Sequence, residues 1–260
     1  KLSIQAARSG AGDPLNLNLP RNGIHNIIQK VEILSSSSTI SVIENYNELV
    51  NIFLDSEASA AYKATLGNAQ FGMSGGAGVG DSLITATDNE SKSSTFCLPL
   101  ILTPLWSSSK YLPCFHNDNL TIRLTLDTYE NCFVSGANTT SANTPAFLNP
   151  VSMIFNVVTL DAQAQNMIDQ SNGGVYTMIL DDWRSSRGGA IAQTQRLINQ
   201  NLGFSHQSLS RVIFGFYLAK TNVTDGNGAR PNRNVSEYTF QMNGRSYPAQ
   251  KIKASALATR

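Results

Sequence analysis

Apolar and polar residues alternate most cleanly over Leu120–Asp127, where Leu120, Ile122, Leu124 and Leu126 face one way and Thr121, Arg123, Thr125 and Asp127 the other. That is the pattern of a half-buried strand. Upstream, Phe96–Leu105 is a nearly continuous apolar run carrying Pro99 and Pro104. Proline bars it from the middle of a helix and favours an edge or bulged strand. Thr95–Asp127 is therefore expected to form two strands joined by a polar, Ser-rich turn, in a chain that folds by stacking twisted sheets. Further strands are predicted where Ile27, Val31 and Ile33 alternate with Ile28, Lys30 and Glu32, at Thr39–Ile43 after a Ser35–Ser38 turn, and at Val151–Leu160, Val175–Leu180 and Arg211–Leu218. Glu237–Met242, Asn243-Gly244 and Arg245–Tyr247 read as a hairpin with a primed turn, Pro248 ending its second strand.

Helical spacing is clearest in two places. Tyr46, Leu49, Val50, Phe53, Leu54 and Ala61 recur at three- and four-residue steps after Asn45, with Glu48 placed as in a capping box and Gly67 as the expected stop. Asp161 is placed to cap a short helix over Ala162–Gln170, which Asn172-Gly173-Gly174 breaks. Lys1–Pro20 reads as a polar arm or loop ahead of an Asn22-Gly23 turn. Phe71–Gly80, Asn131–Asn149 and Thr221–Asn234 read as loops, and Arg196–Phe204 fits strand or helix equally. A junction after Asn172 divides the chain into residues 1–172 and 173–260.

The 260 residues suffice to bury a sizeable core. Charged residues are 14% of the chain, against the usual ~25%, and Ser, Thr, Asn and Gln supply the polarity instead. This balance suits strand-rich proteins with large contact surfaces. The net charge of +1 conceals a split: Lys1–Trp183 has eight basic and sixteen acidic residues, net −8, and Arg184–Arg260 has eleven basic and two acidic, net +9. Such polarity can steer association with a like-built neighbour or with nucleic acid. No apolar run reaches the length of a membrane span, and no signal-peptide pattern opens the chain, which begins at Lys1.

Candidate chemistry is sparse. Gly72-Met73-Ser74-Gly75-Gly76 fits G-x-S-x-G, but the nucleophile elbow needs a strand before the serine and a helix after it, and here a helix precedes. The same glycines fit neither phosphate-binding pattern. Cys97, Cys114 and Cys132 are odd in number and widely spaced, which suits reduced thiols and folding inside a cell; Cys114 and His116 lie close together but lack a partner pair at zinc-site spacing. His25, His116 and His206 are dispersed. Asp181 and Asp182 are adjacent, so on a strand they face opposite ways and make a poor acid/base pair. Arg187-Gly188-Gly189 occurs once and reads as a loop. Asn-x-Ser/Thr sites begin at Asn89, Asn119, Asn138, Asn222 and Asn234, within chance for this composition. The expectation is no catalytic, cofactor-binding or metal-binding residue, and no enzyme.

Three stretches together resemble the double jelly-roll major capsid proteins of DNA viruses, of the virophage and polinton-like type. Leu17–Tyr62, with its L-x-L-P lead, Gly23, the strand IIQKVEIL and the Tyr46-Asn47-x-Leu49 helix, is similar to the opening of the family's first roll. Thr95–Asp127, with Leu98-Pro99-Leu100 and Leu112-Pro113, is similar to later strands of that roll. Ser208–Ile252, with SLSRVIFGFY, a long loop and YTFQMNGRSYPAQKI, is similar to the second roll's strand, loop and hairpin. Family members are considerably longer, so the second roll is expected to be incomplete and the chain to be a portion, a cleavage product or a divergent short form.

The resemblance implies a mainly β fold of two consecutive antiparallel jelly-roll sandwiches with a few short helices, residues 1–172 forming the first roll with its N-terminal arm and 173–260 the second. It implies a structural protein: a homotrimer whose lobes form pseudo-hexagonal capsomers of an icosahedral shell, assembled inside the host cell and resident in the virion. Expected partners are further copies and other capsid proteins, with weak contact of the basic C-terminal part to nucleic acid and no membrane span. A jelly-roll lectin-like or attachment module, using loops such as Asn131–Asn149, is the alternative.

Overall fold

The computed structural model of the chain describes residues 2–6, 17–35, 38–75, 82–84, 92–108, 111–112, 120–135, 146–148, 152–154, 156–192, 194–204, 208–216 and 235–253. Two compact units emerge, one of Lys1–Arg211 with Lys220–Gly228, the other of Val212–Ala219 with Ala229–Arg260.

In chain order the first unit contains β1 (Leu2–Ala6), β2 (Leu17–Asn18), a 3-10 turn (Gly23–Ile27), β3 (Ile28–Ser35), β4 (Ser38–Glu44), α1 (Tyr46–Glu57), α2 (Ala60–Ala64), α3 (Leu66–Phe71), β5 (Ser82–Ile84), β6 (Lys92–Phe96), α4 (Pro104–Ser107), β7 (Thr121–Leu126), α5 (Tyr129–Cys132), β8 (Val134–Ser135), β9 (Ala146–Leu148) and α6 (Ala162–Ser171). The second unit carries β10 (Glu237–Met242) and β11 (Arg245–Lys253). Among the described residues every strand pairing is antiparallel and the helices are short, consistent with a mainly β class. Among the described residues no helix is long and apolar enough to cross a membrane.

The sheet β4-β3-β7 carries the core. Val31 lies opposite Ile43 on one side and Leu124 on the other, while Ile33 lies opposite Ser41 and Ile122. The alternation therefore brings Val31, Ile33 and Ile43 into one buried row, with Ile122 and Leu124 half-buried against the core. The opposite face puts Arg123 across from Glu32, and Glu32 binds Lys30 at 3.0 Å and Arg123 at 3.5 Å. These cations, Lys30 first, hold the Glu32 carboxyl below its ordinary value. On α1, Tyr46, Val50 and Leu54 recur every four residues and close the buried row from above. The Tyr46 hydroxyl, whose titration burial pushes far upward, donates to the Ile101 carbonyl at 2.9 Å.

Two smaller sheets, β6-β1-β9 and β5-β2-β8, share one order. Their strands follow one another in pairs along the chain, β1 with β2, β5 with β6 and β8 with β9, each pair giving one strand to each sheet, and Leu2–Ala6 and Leu17–Asn18 are the central ones. The stretch expected as an arm over Lys1–Pro20 thus contributes two central strands, Leu2–Ala6 and Leu17–Asn18, and the apolar alternation in Leu2-Ser3-Ile4-Gln5-Ala6 is the signal of the first. Asn131–Asn149 likewise contributes α5, β8 and β9 beyond a plain loop.

Phe96–Leu105 does not form a strand beside β7. Phe96 ends β6, the chain turns irregularly with Leu98, Leu100, Ile101 and Leu102 packed on the core, and Pro104 starts α4 at the position where its missing N–H costs nothing. Asn45 precedes α1 in the left-handed region (φ 53°) and makes no side-chain cap; instead the Glu48 N–H donates to Asn47 Oδ1 at 2.9 Å. Gly67 lies inside α3, buried where a Cβ would come 2.8 Å from Met73 Sδ, and Gly72 at φ 65° is the stop. Gly23 (φ 67°) closes the predicted turn, its N–H donating to Pro20 at 2.7 Å.

Asp161 caps α6 as expected, accepting from the Ala164 N–H at 2.6 Å, and Gly173 and Gly174 follow the helix at positive φ. The described residues of Val151–Leu160, Val175–Leu180 and Arg211–Leu218 are irregular where strands were expected. β-Branched composition fits a pleated surface but does not make a strand without a ladder partner. Arg196–Phe204 is irregular as well, and Thr221–Asn234 lies outside the described residues.

In the second unit the hairpin forms as predicted, with Asn243 (φ 50°) and Gly244 (φ 75°) in a primed turn. Pro248 does not end β11. Phe240 pairs with Tyr247 and Tyr238 with Ile252, so the proline lies in the bulge between these pairs, where no ladder N–H is required. Phe214, Tyr238 and Phe240 form an aromatic trio, Phe214 tilted against Tyr238 and both meeting Phe240 edge-on, with ring centroids 4.9–6.0 Å apart.

Candidate functional site

The most organised polar chemistry lies where α1 meets the 3-10 turn. Asn47, Asn51 and Asp55 follow one another at four-residue steps, which sets them in one stripe of α1 beside the apolar stripe of Tyr46, Val50 and Leu54. Asn22 and Asn26, four apart around the turn, meet that stripe. Asn22 Nδ2 donates to Asn51 Oδ1 at 2.9 Å and to Asp55 Oδ1 at 3.3 Å, and Asn51 Nδ2 donates to Asn26 Oδ1. All four asparagines are buried.

Carboxylates finish both ends of the stripe. Asp127, just past β7, accepts from Asn47 Nδ2 at 2.6 Å, the Thr128 N–H at 2.7 Å and Asn131 Nδ2 at 3.0 Å. Asp55 accepts from Lys63 Nζ at 2.7 Å, and Lys63 itself is buried. Arg21 Nε lies 3.9 Å from Asp55, within ion-pair range but too far for a hydrogen bond. Asn22 Oδ1 is buried without a partner, but the Nδ2 groups of Asn22, Asn47 and Asn51 are all spent within the cluster, which specifies a single packing of helix on turn, since a slip leaves further groups unpaired. Chemically the arrangement is a clamp: amides do not titrate near neutrality, and Asp55 and Asp127 are engaged by donors. The N-x-x-x-N-x-x-x-D spacing within a predicted helix was its available signal.

His25 sits beside this clamp. It is buried (1% exposed) against the Phe71 ring at 5.3 Å, and its Nδ1 has no hydrogen-bond partner. Desolvation lowers its pKa from 6.5 to about 3, so the imidazole is neutral at physiological pH.

The residues weighed from sequence are scattered. Ser74 follows α3 and the left-handed Gly72, its N–H donating to the Arg21 carbonyl at 2.8 Å, so a helix and not a strand leads into it and the elbow geometry is absent. Cys97 is exposed, whereas the Cys132 thiol is buried and donates to the Asp127 carbonyl at 3.4 Å. Asp182 accepts from Ser41 Oγ at 2.6 Å and lies 3.0 Å from Arg184, while Arg187 pairs with Glu48. Cys114, His116, His206 and the five Asn-x-Ser/Thr asparagines lie outside the described residues. Among the described residues no group of three or more His, Cys, Asp or Glu side chains is placed to hold a metal ion.

No protein-family model, no curated protein and no solved structure matches the chain.

Proposed function

We propose that the chain is a structural capsid protein, a subunit that self-associates as a homotrimer into pseudo-hexagonal capsomers of an icosahedral virus shell, its lobes built as antiparallel jelly-roll sandwiches. The observation that carries self-association is the run of large apolar side chains left in water after α6 and just before it: Val157 is 77% exposed, Ile179 94% and Leu197 72%. Monomeric soluble proteins leave few such surfaces uncovered, and burial against a neighbour returns roughly 25 cal/mol per Å² of apolar area. The resemblance of Leu17–Tyr62, Thr95–Asp127 and Ser208–Ile252 to double jelly-roll capsid proteins supports the kind of assembly, and the wholly antiparallel pairing agrees with it. Virion residence, contact with other capsid proteins and weak contact of the basic C-terminal part with nucleic acid belong to the same reading.

Light scattering and negative-stain imaging of the purified protein test it. Trimers or shells are the expected result. A monomer at micromolar concentration that is retained on a glycan array overturns it in favour of a jelly-roll attachment module.

A further inference from the structure

The segment Asp182–Arg187 is fastened to β4 and α1 almost as a separate piece. Asp182 accepts from buried Ser41 on β4, Trp183 packs against the core, Ser185 Oγ accepts from Asn45 Nδ2 at 3.3 Å, and Arg187 pairs with Glu48 on α1. These are side-chain contacts, spaced so that one short peptide reaches from strand to helix.

Both flanks differ from this anchor. Gly173 and Gly174 lie at positive φ, with open space around each, and Gly189 is equally open. Val175 and Ile179 before the anchor and Leu197 after it are exposed, in irregular chain. A peptide anchored by its middle, with glycines on both sides and apolar flanks that its own subunit leaves in water, is the arrangement from which identical copies exchange elements, because every contact made within one chain is available between two.

Resting on the self-association reading, we infer that Asp182–Arg187 is an exchange arm: it leaves Ser41, Asn45 and Glu48 of its own subunit and makes the same contacts to those of a second copy. When each copy passes its segment to the next and not back to its donor, the contact is head-to-tail and closes into a ring when the rotation allows. The neighbour then covers the apolar flanks that a lone subunit exposes.

The test joins the arm covalently to the residue that Ser185 contacts. Asn45→Cys and Ser185→Cys are introduced together in a chain whose Cys97, Cys114 and Cys132 are replaced by Ala, and the assembled protein is treated with a short bis-maleimide. Linked dimers and larger species on a denaturing gel are expected, as is a heterodimer when the two single variants are refolded together. A monomer carrying only an internal link, from wild-type-like oligomers, overturns the exchange and leaves self-association standing. Failure to link at all, while a mono-maleimide labels both thiols, also overturns it. A wild-type protein that is monomeric by light scattering overturns both readings.

Discussion

His25 makes acid sensitivity a quantitative consequence of the core. Its pKa is lowered from 6.5 to about 3 in the folded chain because the imidazole is desolvated, while the unfolded chain keeps the ordinary value. Between these values the unfolded state binds a proton that the native state does not. The stabilisation is therefore complete above about pH 6.5 and is lost as pH falls toward 3. One pKa unit corresponds to 1.36 kcal/mol, so the two titrations give a loss of about 2 kcal/mol at pH 5 and about 3 kcal/mol at pH 4. Urea midpoints followed by tryptophan fluorescence from pH 7.5 to 5 measure this before most carboxylates titrate. His25→Leu keeps an apolar contact for Phe71 and removes the titrating group, and Nδ1 has no partner to lose. The variant is expected to lie flat relative to wild type across that range, with His116 and His206 common to both chains. Parallel curves for the two proteins would refute the desolvation argument.

Other perturbations probe the clamp and the assembly. Asn51→Ala strips Asn26 Oδ1 of its donor and Asn22 Nδ2 of one acceptor, and is expected to cost about 1–3 kcal/mol in urea unfolding, the penalty of a buried polar group left unmade; a neutral result argues against the clamp. Gly23→Ala places a Cβ 1.9 Å from the Phe71 carbonyl oxygen at a φ of +67°, so a loss of about 3 kcal/mol or more is expected from left-handed strain and overpacking, read as lowered Tm and soluble yield. Replacing both Lys63 and Asp55, as Lys63→Met with Asp55→Leu, is expected to destabilise less than Lys63→Met alone, since the single change takes the nearer cation from a largely buried carboxylate and leaves it only the more distant Arg21. Reversing Arg230, Arg233 and Arg245 to Glu should lower capsomer yield and change its salt dependence if the acidic and basic parts order the lobes; an unchanged yield removes charge from that role.

Local pattern and tertiary structure divided the description of this chain along a physical line. The alternation of Thr121–Leu126, the Asn22-Gly23 turn, the Asp161 cap, the Asn243-Gly244 hairpin and the four-residue stripe of Tyr46, Val50 and Leu54 rest on forces that act within a few residues, and these were legible without coordinates. The clamp was half legible: its residues stand at helical spacing, but only the packing of α1 on the turn shows that Asn47 and Asn51 face Asn26 and Asn22 and not water.

Pairing between strands distant in sequence was decided by tertiary structure alone, because such a ladder needs a partner that local pattern does not identify. Leu2–Ala6, short and polar by neighbourhood, finds Lys92–Phe96 and Ala146–Leu148 and becomes a central strand. Val175–Leu180, a better strand by composition, is irregular in this chain. Glycine roles divided likewise: Gly67 looked like a stop by position, yet contact with Met73 fixes it inside α3 and the left-handed turn falls at Gly72. The sequence by itself determined the elements whose energetics are local. The tertiary structure decided which extended segments were paired, which polar side chains went inside, and which apolar ones stayed in water, since each depends on surfaces brought together from distant parts of the chain.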